Sequence, residues 1–325
     1  MSGVVVFGSV NLDLTSYVAA FPEPGETIHS VGYRVALGGK GANQAIAARL
    51  AGAGVDLVAR VGDDPAAELV RSDIARFGLA ADAVATVPSR STGVAQITVA
   101  DSGENTIVVS SGANAAMDAD AVEAESARVA EADVVLTQGE LPVPTIEAVA
   151  RVCARTGTRF IVNLAPPVAV APASVAIADP LVVNEHEARA LGIGAELVDD
   201  VAAERWRDAA ASAVGRIARS IVVTLGGRGA VAADAAGAWV VAAPRVAVVD
   251  TTGAGDAATG ALAAMLAEGE RFPRPSASRS RPGRWRCSPA APSIRTRAAT
   301  TCWHSPRLRR SLDERSGDPG LRSRP

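Results

Sequence analysis

Residues 248–262 read VVDTTGAGDAATGAL. Two apolar β-branched residues, a threonine–glycine turn and a run of small helix formers spell strand, tight turn, helix. Asp256 stands at the mouth of that helix, where the first backbone N–H groups lack partners within the helix and anions are attracted. An acid in that place is a cap or a reagent, and as a cap it is ordinary. A cap has no need of two flanking glycines, whereas Gly253-Ala254-Gly255 leave amides bare for an oxyanion. Asp256 beside such a nest suits phosphoryl transfer. The carboxylate takes the proton of an attacking hydroxyl, and the amides meet the charge building on the phosphoryl oxygens.

The same strand-to-helix grammar recurs along the chain. Val4–Phe7 is a buried apolar strand, 41–53 an Ala-rich helix, 55–62 a strand, and 65–78 a helix with proline in its first turn and glycine after its end. Helices are expected over 119–131, 144–156, 185–191 and 199–219, with strands over 133–139, 159–165, 180–184 and 220–226. Such alternation predicts an α/β fold, a mostly parallel sheet with helices on both faces. Segments 93–100 and 105–112 flank DSGE and read as an antiparallel hairpin. With the stretch 14–36 it falls outside the alternation. The two, about 14–36 and 92–112, are expected to form a small β-sheet lid.

Composition narrows the class. Of 325 residues 48% are hydrophobic but only 3% aromatic, so the core is built from Ala, Val, Leu and Ile. No apolar run reaches bilayer length, and the N-terminus MSGVVVFGSVNLD lacks the pattern of a secretory leader. Cys153, Cys287 and Cys302 have neither disulfide-framework nor zinc-ligand spacing. A cytoplasmic enzyme is the expectation. His29, His186 and His304 have no evident partners and read as surface residues.

Charge divides the chain. Residues 271–325 carry 14 arginines against 3 acids, so residues 1–270 keep 18 of the 32 bases and 32 of the 35 acids, a balance of −14 within a net charge of −3. The domain is therefore expected to be residues 1–270. Residues 271–325 are an atypical Arg/Ser/Pro-rich tail, read as disordered or as the product of a reading-frame shift near 270–275. The tail lacks the interleaved aromatics of a nucleic-acid-binding segment, and no nucleic-acid or membrane partner is expected.

Other stretches carry polar groups at strand ends. GSVNLD (8–13) follows the first strand, where parallel sheets bind ligands. Asn11 and Asp13 there hold hydroxyls or make an Asx turn. GGKGANQA (38–45) surrounds Lys40, the chain's only lysine, with glycines, and Asn43 opens the helix. It grips a polar ligand or is a glycine loop with an incidental base. VNEHEA (183–188), with Asn184 and Glu187, and TLGGRG (224–229) accept a nucleotide or merely turn the chain. G-x-G-x-x-G is absent after the first strand, which ranks a dinucleotide-dependent oxidoreductase low.

Taken in order, GSVNLD, PGET (24–27), GGKGANQA, VGDD (61–64), STGVA (91–95), SGANA (111–115), NLAPP (163–167), VNEHEA, TLGGRG and DTTGAGD (250–256) resemble the PfkB family of carbohydrate kinases over roughly residues 3–270. GGKGANQA and SGANA point within it to the ribokinase branch. The resemblance implies a Rossmann-like α/β domain with a β-sheet lid over the sugar, and transfer of phosphate from ATP to the ribose 5-hydroxyl with Mg²⁺. It implies that Asn11, Asp13, Gly39, Lys40, Asn43 and Glu140 hold the sugar. Asp256 is then the general base, with Gly253, Ala254 and Gly255 as anion hole. Asn184 and Glu187 serve the Mg²⁺–phosphate region, and Thr224, Gly226 and Gly229 line the nucleotide site. Asp250 and Thr252 match part of a monovalent cation (K⁺) site, and the lid sheets pair into a homodimer. A tail without the family's closing helices leaves a sugar-binding protein without kinase activity as the alternative, beside a kinase for another pentose or a nucleoside.

Overall fold

The computed structural model describes residues 3–244, 251–270 and 272. The expectations for Asp250 and for the basic tail, Phe272 apart, lie outside the described residues.

The chain opens with β1 (Gly3–Phe7), β2 (Asn11–Val18) and β3 (Gly32–Gly38), then α1 (Lys40–Leu50), β4 (Gly54–Val61), α2 (Pro65–Arg76) and β5 (Val84–Thr86). There follow β6 (Gly93–Ala100), β7 (Asn105–Ser110), α3 (Ala119–Ala124), α4 (Ser126–Glu131), β8 (Val134–Gln138), α5 (Val143–Thr156), β9 (Arg159–Asn163) and α6 (Pro172–Ala176). The last are β10 (Leu181–Asn184), α7 (Glu185–Ala190), α8 (Ala203–Ala213), β11 (Ile221–Thr224), β12 (Ala230–Asp234), β13 (Gly237–Val241) and α9 (Ala254–Ala267).

Nine strands form the main sheet in the order β13-β12-β11-β10-β9-β8-β1-β4-β5. From β5 to β11 every neighbouring pair is parallel. The antiparallel hairpin β12–β13 closes one edge. Alternating side chains load both faces. Val4 and Val6 of β1 pack with α1, α2 and α9, whereas Val5 and Phe7 pack with the helices α3 to α8. This two-sided burial is why the strands read as unbroken apolar runs. The α/β fold read from the sequence is the fold observed.

The second sheet has the order β3-β2-β6-β7, with β2 parallel to β6 and antiparallel to β3. Beyond the short β5 and α6, which the sequence reading does not name, three features depart from it. The hairpin β12–β13 lay hidden in Ala-rich sequence whose period is weak. The helix expected over 119–131 is two helices meeting at Glu125. The one expected over 199–219 ends at Ala213, just before Gly215 takes a left-handed φ of 75°. Among the described residues no helix is long and apolar enough to cross a membrane.

Candidate active site

The carboxyl ends of β1, β8, β10 and β11 point the same way, toward the heads of α1 and α9, where open parallel sheets bind ligands. Glycines set how closely α1 approaches. Gly39 caps it with a φ of 88°, and a Cβ there would lie 2.7 Å from the Ser9 carbonyl oxygen. A Cβ on Gly41 would lie 2.4 Å from the Gly8 Cα. No side chain fits either place, so the first turn of α1 rests on the β1–β2 connection. Glu140, just beyond β8, anchors that turn. Its Oε2 accepts the Lys40 N–H at 3.0 Å and also the Ser9 hydroxyl. Ser9 Oγ in turn accepts the Gly41 N–H at 3.3 Å. A carboxylate on the orphan amides of a helix start is favoured by the helix dipole as well.

Lys40, Asn43 and Gln44 stand three and four residues apart and therefore share one face of α1. That face meets Asp256. Gly253 is the N-cap of α9, and Asp256 is the third residue of the helix, 6% exposed. It is thus not a cap. Asn43 Nδ2 donates to its Oδ2 at 3.1 Å and Gln44 Nε2 to its Oδ1 at 2.9 Å, while Lys40 Nζ lies 4.0 Å from Oδ1. Of the amides read as an anion nest, the Ala254 N–H donates to the Thr251 carbonyl at 3.0 Å. A Cβ on Gly255 would meet nothing within 4 Å. Packing therefore does not demand this glycine, and the open face it leaves suits the close approach of a phosphate.

Asn11 and Asp13 alternate on β2 and so face the same side of the small sheet. Asn11 is buried, and its Oδ1 accepts Asn114 Nδ2 at 2.8 Å. Asn114 also takes the Val10 N–H at 2.9 Å and donates to the Val10 carbonyl at 3.1 Å. The Asp13 carboxylate lies against Gly38, where a Cβ would come within 1.9 Å of Oδ1. Gly38, the last residue of β3, pairs with Asn11 of β2, so Gly39 and Lys40 follow directly from the strand paired with the one carrying these two polar groups.

Asn184 and Glu187 form a capping box at α7. Asn184 Oδ1 accepts the Glu187 N–H at 2.9 Å, and Glu187 Oε2 accepts the Asn184 N–H at 2.8 Å. Burial pushes the Glu187 carboxyl above the ordinary glutamate value. The Asn184 amide and the charges of Lys40 and His186 oppose that rise, and Asp256 adds to it. Thr224 pairs with Asn184 across β10–β11, at the same end of the sheet. Gly226 and Gly229, with φ of 56° and 101°, turn the chain from β11 into β12. A Cβ on Gly229 would meet the Val241 carbonyl oxygen at 2.0 Å, so its need for glycine is structural. Thr252 lies in the turn before α9.

Lys40, Asn43 and Asp256 are therefore in one contact group, Glu140 anchors it, and Glu187 lies within its field. Ser9, Gln44, Asn114 and Asn163 were not singled out by sequence. All four stand inside quoted motifs whose helix face, strand end or turn was not read. Asn163 lies at the carboxyl end of β9.

The profile of the pfkB family carbohydrate kinases matches residues 1–274. A ribokinase of Haemophilus influenzae is 33% identical over 269 residues, 83% of this chain and 87% of its own length. A ribokinase of Schizosaccharomyces pombe is 36% identical over 279 residues, again 83% and 87%. The solved structure of Arabidopsis thaliana ribokinase complexed with ribose and ATP superposes with a TM-score of 0.74 at 29% identity, over 83% of this chain and 88% of that one. Agreement of sequence, fold and motif order over most of each chain leaves one assignment: this chain belongs to the pfkB family of carbohydrate kinases, as a ribokinase-like sugar kinase that transfers phosphate to an alcohol.

Proposed function

We propose that the chain transfers the γ-phosphoryl group of ATP to the 5-hydroxyl of D-ribose, with Asp256 as general base. The observation that carries this reading is the carboxylate itself, buried at the head of α9 and hydrogen-bonded to Asn43 of α1. An acid committed to a cap has no such partner. Asp256 accepts the hydroxyl proton as the oxygen attacks phosphorus. The amides at Gly253 and Gly255 meet the charge on the phosphoryl oxygens; the Ala254 amide, also read as part of the nest, is instead taken by the Thr251 carbonyl. Lys40 and Asn43 grip sugar hydroxyls beside the base, and Asn11, Asp13 and Gly39 close the sugar from the lid side. Glu140 serves that grip from behind, by holding the first turn of α1.

Asn184, Glu187 and Thr224 line the phosphate end of the nucleotide site, with Gly226 and Gly229 beyond. A single buried carboxylate near that end fits Mg²⁺, which takes one or two carboxylates together with substrate phosphates. Bound there, Mg²⁺ offsets the negative charge of the phosphates. Among the described residues no three acids, histidines or cysteines converge on a metal, in keeping with an ion carried by the nucleotide. A monovalent cation, K⁺, at Asp250 and Thr252 completes the proposed set. The protein works in the cytoplasm on small molecules, as a homodimer joined through its small sheets.

Ribose-dependent ADP formation by the purified full chain, with Asp256→Asn as control, tests the proposal. The variant is expected to lose about 10²–10⁴-fold in kcat. Undiminished turnover by Asp256→Asn removes the base assignment. Ribose binding without turnover by the natural chain leaves a sugar-binding protein. A panel of ribose, deoxyribose and nucleosides decides the acceptor.

A further inference from the structure

We infer that Gln44 is a positioning residue, the last member of a buried amide chain that sets the plane of the Asp256 carboxylate from the backbone of β10. This rests on the reading of Asp256 as base. The torsion that turns a carboxylate about its stem is soft and roughly two-fold, so a base of fixed aim needs restraint from outside. Asn43 holds one oxygen and Gln44 the other.

The direction of the chain is dictated from its far end. The Val182 carbonyl is only an acceptor, so Asn163 must turn its Nδ2 toward it, at 3.0 Å. Asn163 Oδ1 then faces Gln44 and requires a donor there, which makes Nε2 the inner atom of the Gln44 amide, at 2.9 Å. The second hydrogen of the same NH₂ group reaches Asp256 Oδ1 at 2.9 Å. Turning the Gln44 amide over would set its oxygen against two acceptors at once. Gln44 is fully buried and Asn163 nearly so, which keeps water from replacing either bond. Packing supports the same contact. Gly260 of α9 lies where a Cβ would stand 2.2 Å from the Gln44 carbonyl oxygen, so the helices touch at these two residues.

Gln44→Leu keeps the volume and removes the donor. The full-length variant, assayed with D-ribose and MgATP, is expected to lose about 10–100-fold in kcat, with both KM values within about twofold of the natural chain. In an Asp256→Asn background, measured in single turnover with enzyme in excess, Gln44→Leu is expected to change the residual rate by less than about twofold. Residues that act as one unit do not add. Gln44→Met repeats the assay if leucine lowers the melting temperature. Asn163→Val, which lets the Gln44 amide turn, is expected to lower kcat by a smaller factor in the same pattern. A kcat for Gln44→Leu within twofold of the natural chain overturns the inference, as does an equal loss in both backgrounds or a rise in KM for ribose that matches the fall in kcat. If Asp256→Asn itself keeps full kcat, the base assignment falls and takes the inference with it. If Asp256→Asn is inactive while Gln44→Leu is not, the inference alone falls.

Discussion

Asn43 of α1 donates a 3.1 Å hydrogen bond to Asp256 of α9, joining side chains 213 positions apart in the chain. A hydrogen bond to a charged group contributes about 1.5–3 kcal/mol. Asn43→Ala is therefore expected to lower kcat/KM for ribose by roughly 10–150-fold. Steady-state kinetics with ribose varied at saturating ATP checks this.

Gly260 sits inside α9, where alanine would normally stabilise a helix by about 1 kcal/mol. Here the added Cβ would stand 2.2 Å from the Gln44 carbonyl oxygen and 2.7 Å from the Ala47 Cβ. The clash outweighs propensity. Gly260→Ala is expected to destabilise the protein by about 1–3 kcal/mol and to lower kcat by moving α9 off α1. Denaturant unfolding and kinetics on one preparation measure both.

Glu187 is held above the ordinary glutamate value by burial. A carboxyl raised in the folded state contributes stability that is fully present below its unfolded value, about 4.3, and is lost as pH rises through the folded value. Glu187→Gln keeps an acceptor for the Asn184 N–H and carries no charge. It is expected to melt higher than the natural chain at pH 7–8, with the gap closing toward about pH 4. The same variant is expected to lose kinase activity, because the proposed Mg²⁺–phosphate end loses its carboxylate. Melting curves across pH, paired with ADP assays, check the two signs.

Asn114 is buried and makes three hydrogen bonds, to the Val10 N–H, the Val10 carbonyl and Asn11. Asn114→Ala leaves those groups unpaired, and about 2–4 kcal/mol of stability is expected to go with them. KM for ribose is expected to rise as Asn11 loses its orientation. A KM that stays put while stability falls would separate Asn114 from the sugar site.

The small sheet presents Tyr33, Val35 and Val108 exposed. Val35 pairs with Leu14, Leu14 with Gln96 and Gln96 with Val108, so Val35 and Val108 point to the same face. Apolar residues gathered on one face mark an interaction surface. Val108→Asp is expected to convert a dimer to a monomer in size-exclusion chromatography with light scattering. A natural chain that elutes as a monomer removes the homodimer from the proposal.

Much of this was legible before any coordinates. Apolar β-branched runs followed by Ala-rich helices dictate a parallel sheet, because strands buried on both faces need no polar alternation. Glycines at 39 and 41 announced backbone that something approaches closely, and the β1–β2 connection does so. The order of short motifs carried the family. Less legible was β12–β13, where alanine blurs the strand period.

What the sequence alone determined is the grammar: which segments are strands and helices, where the tight turns fall, and which polar residues stand at strand ends. Tertiary structure decided what those residues touch. Asp256 gained its amide partners only once α9 lay against α1, and Glu140 became the anchor of α1 only once β8 lay beside β1. Gln44 joined the site only because Gly260 lets two helix backbones meet. The physical reason is range. Propensity, periodicity and capping act over a few residues, whereas these contacts are set by strand order and close packing between segments a hundred or more positions apart.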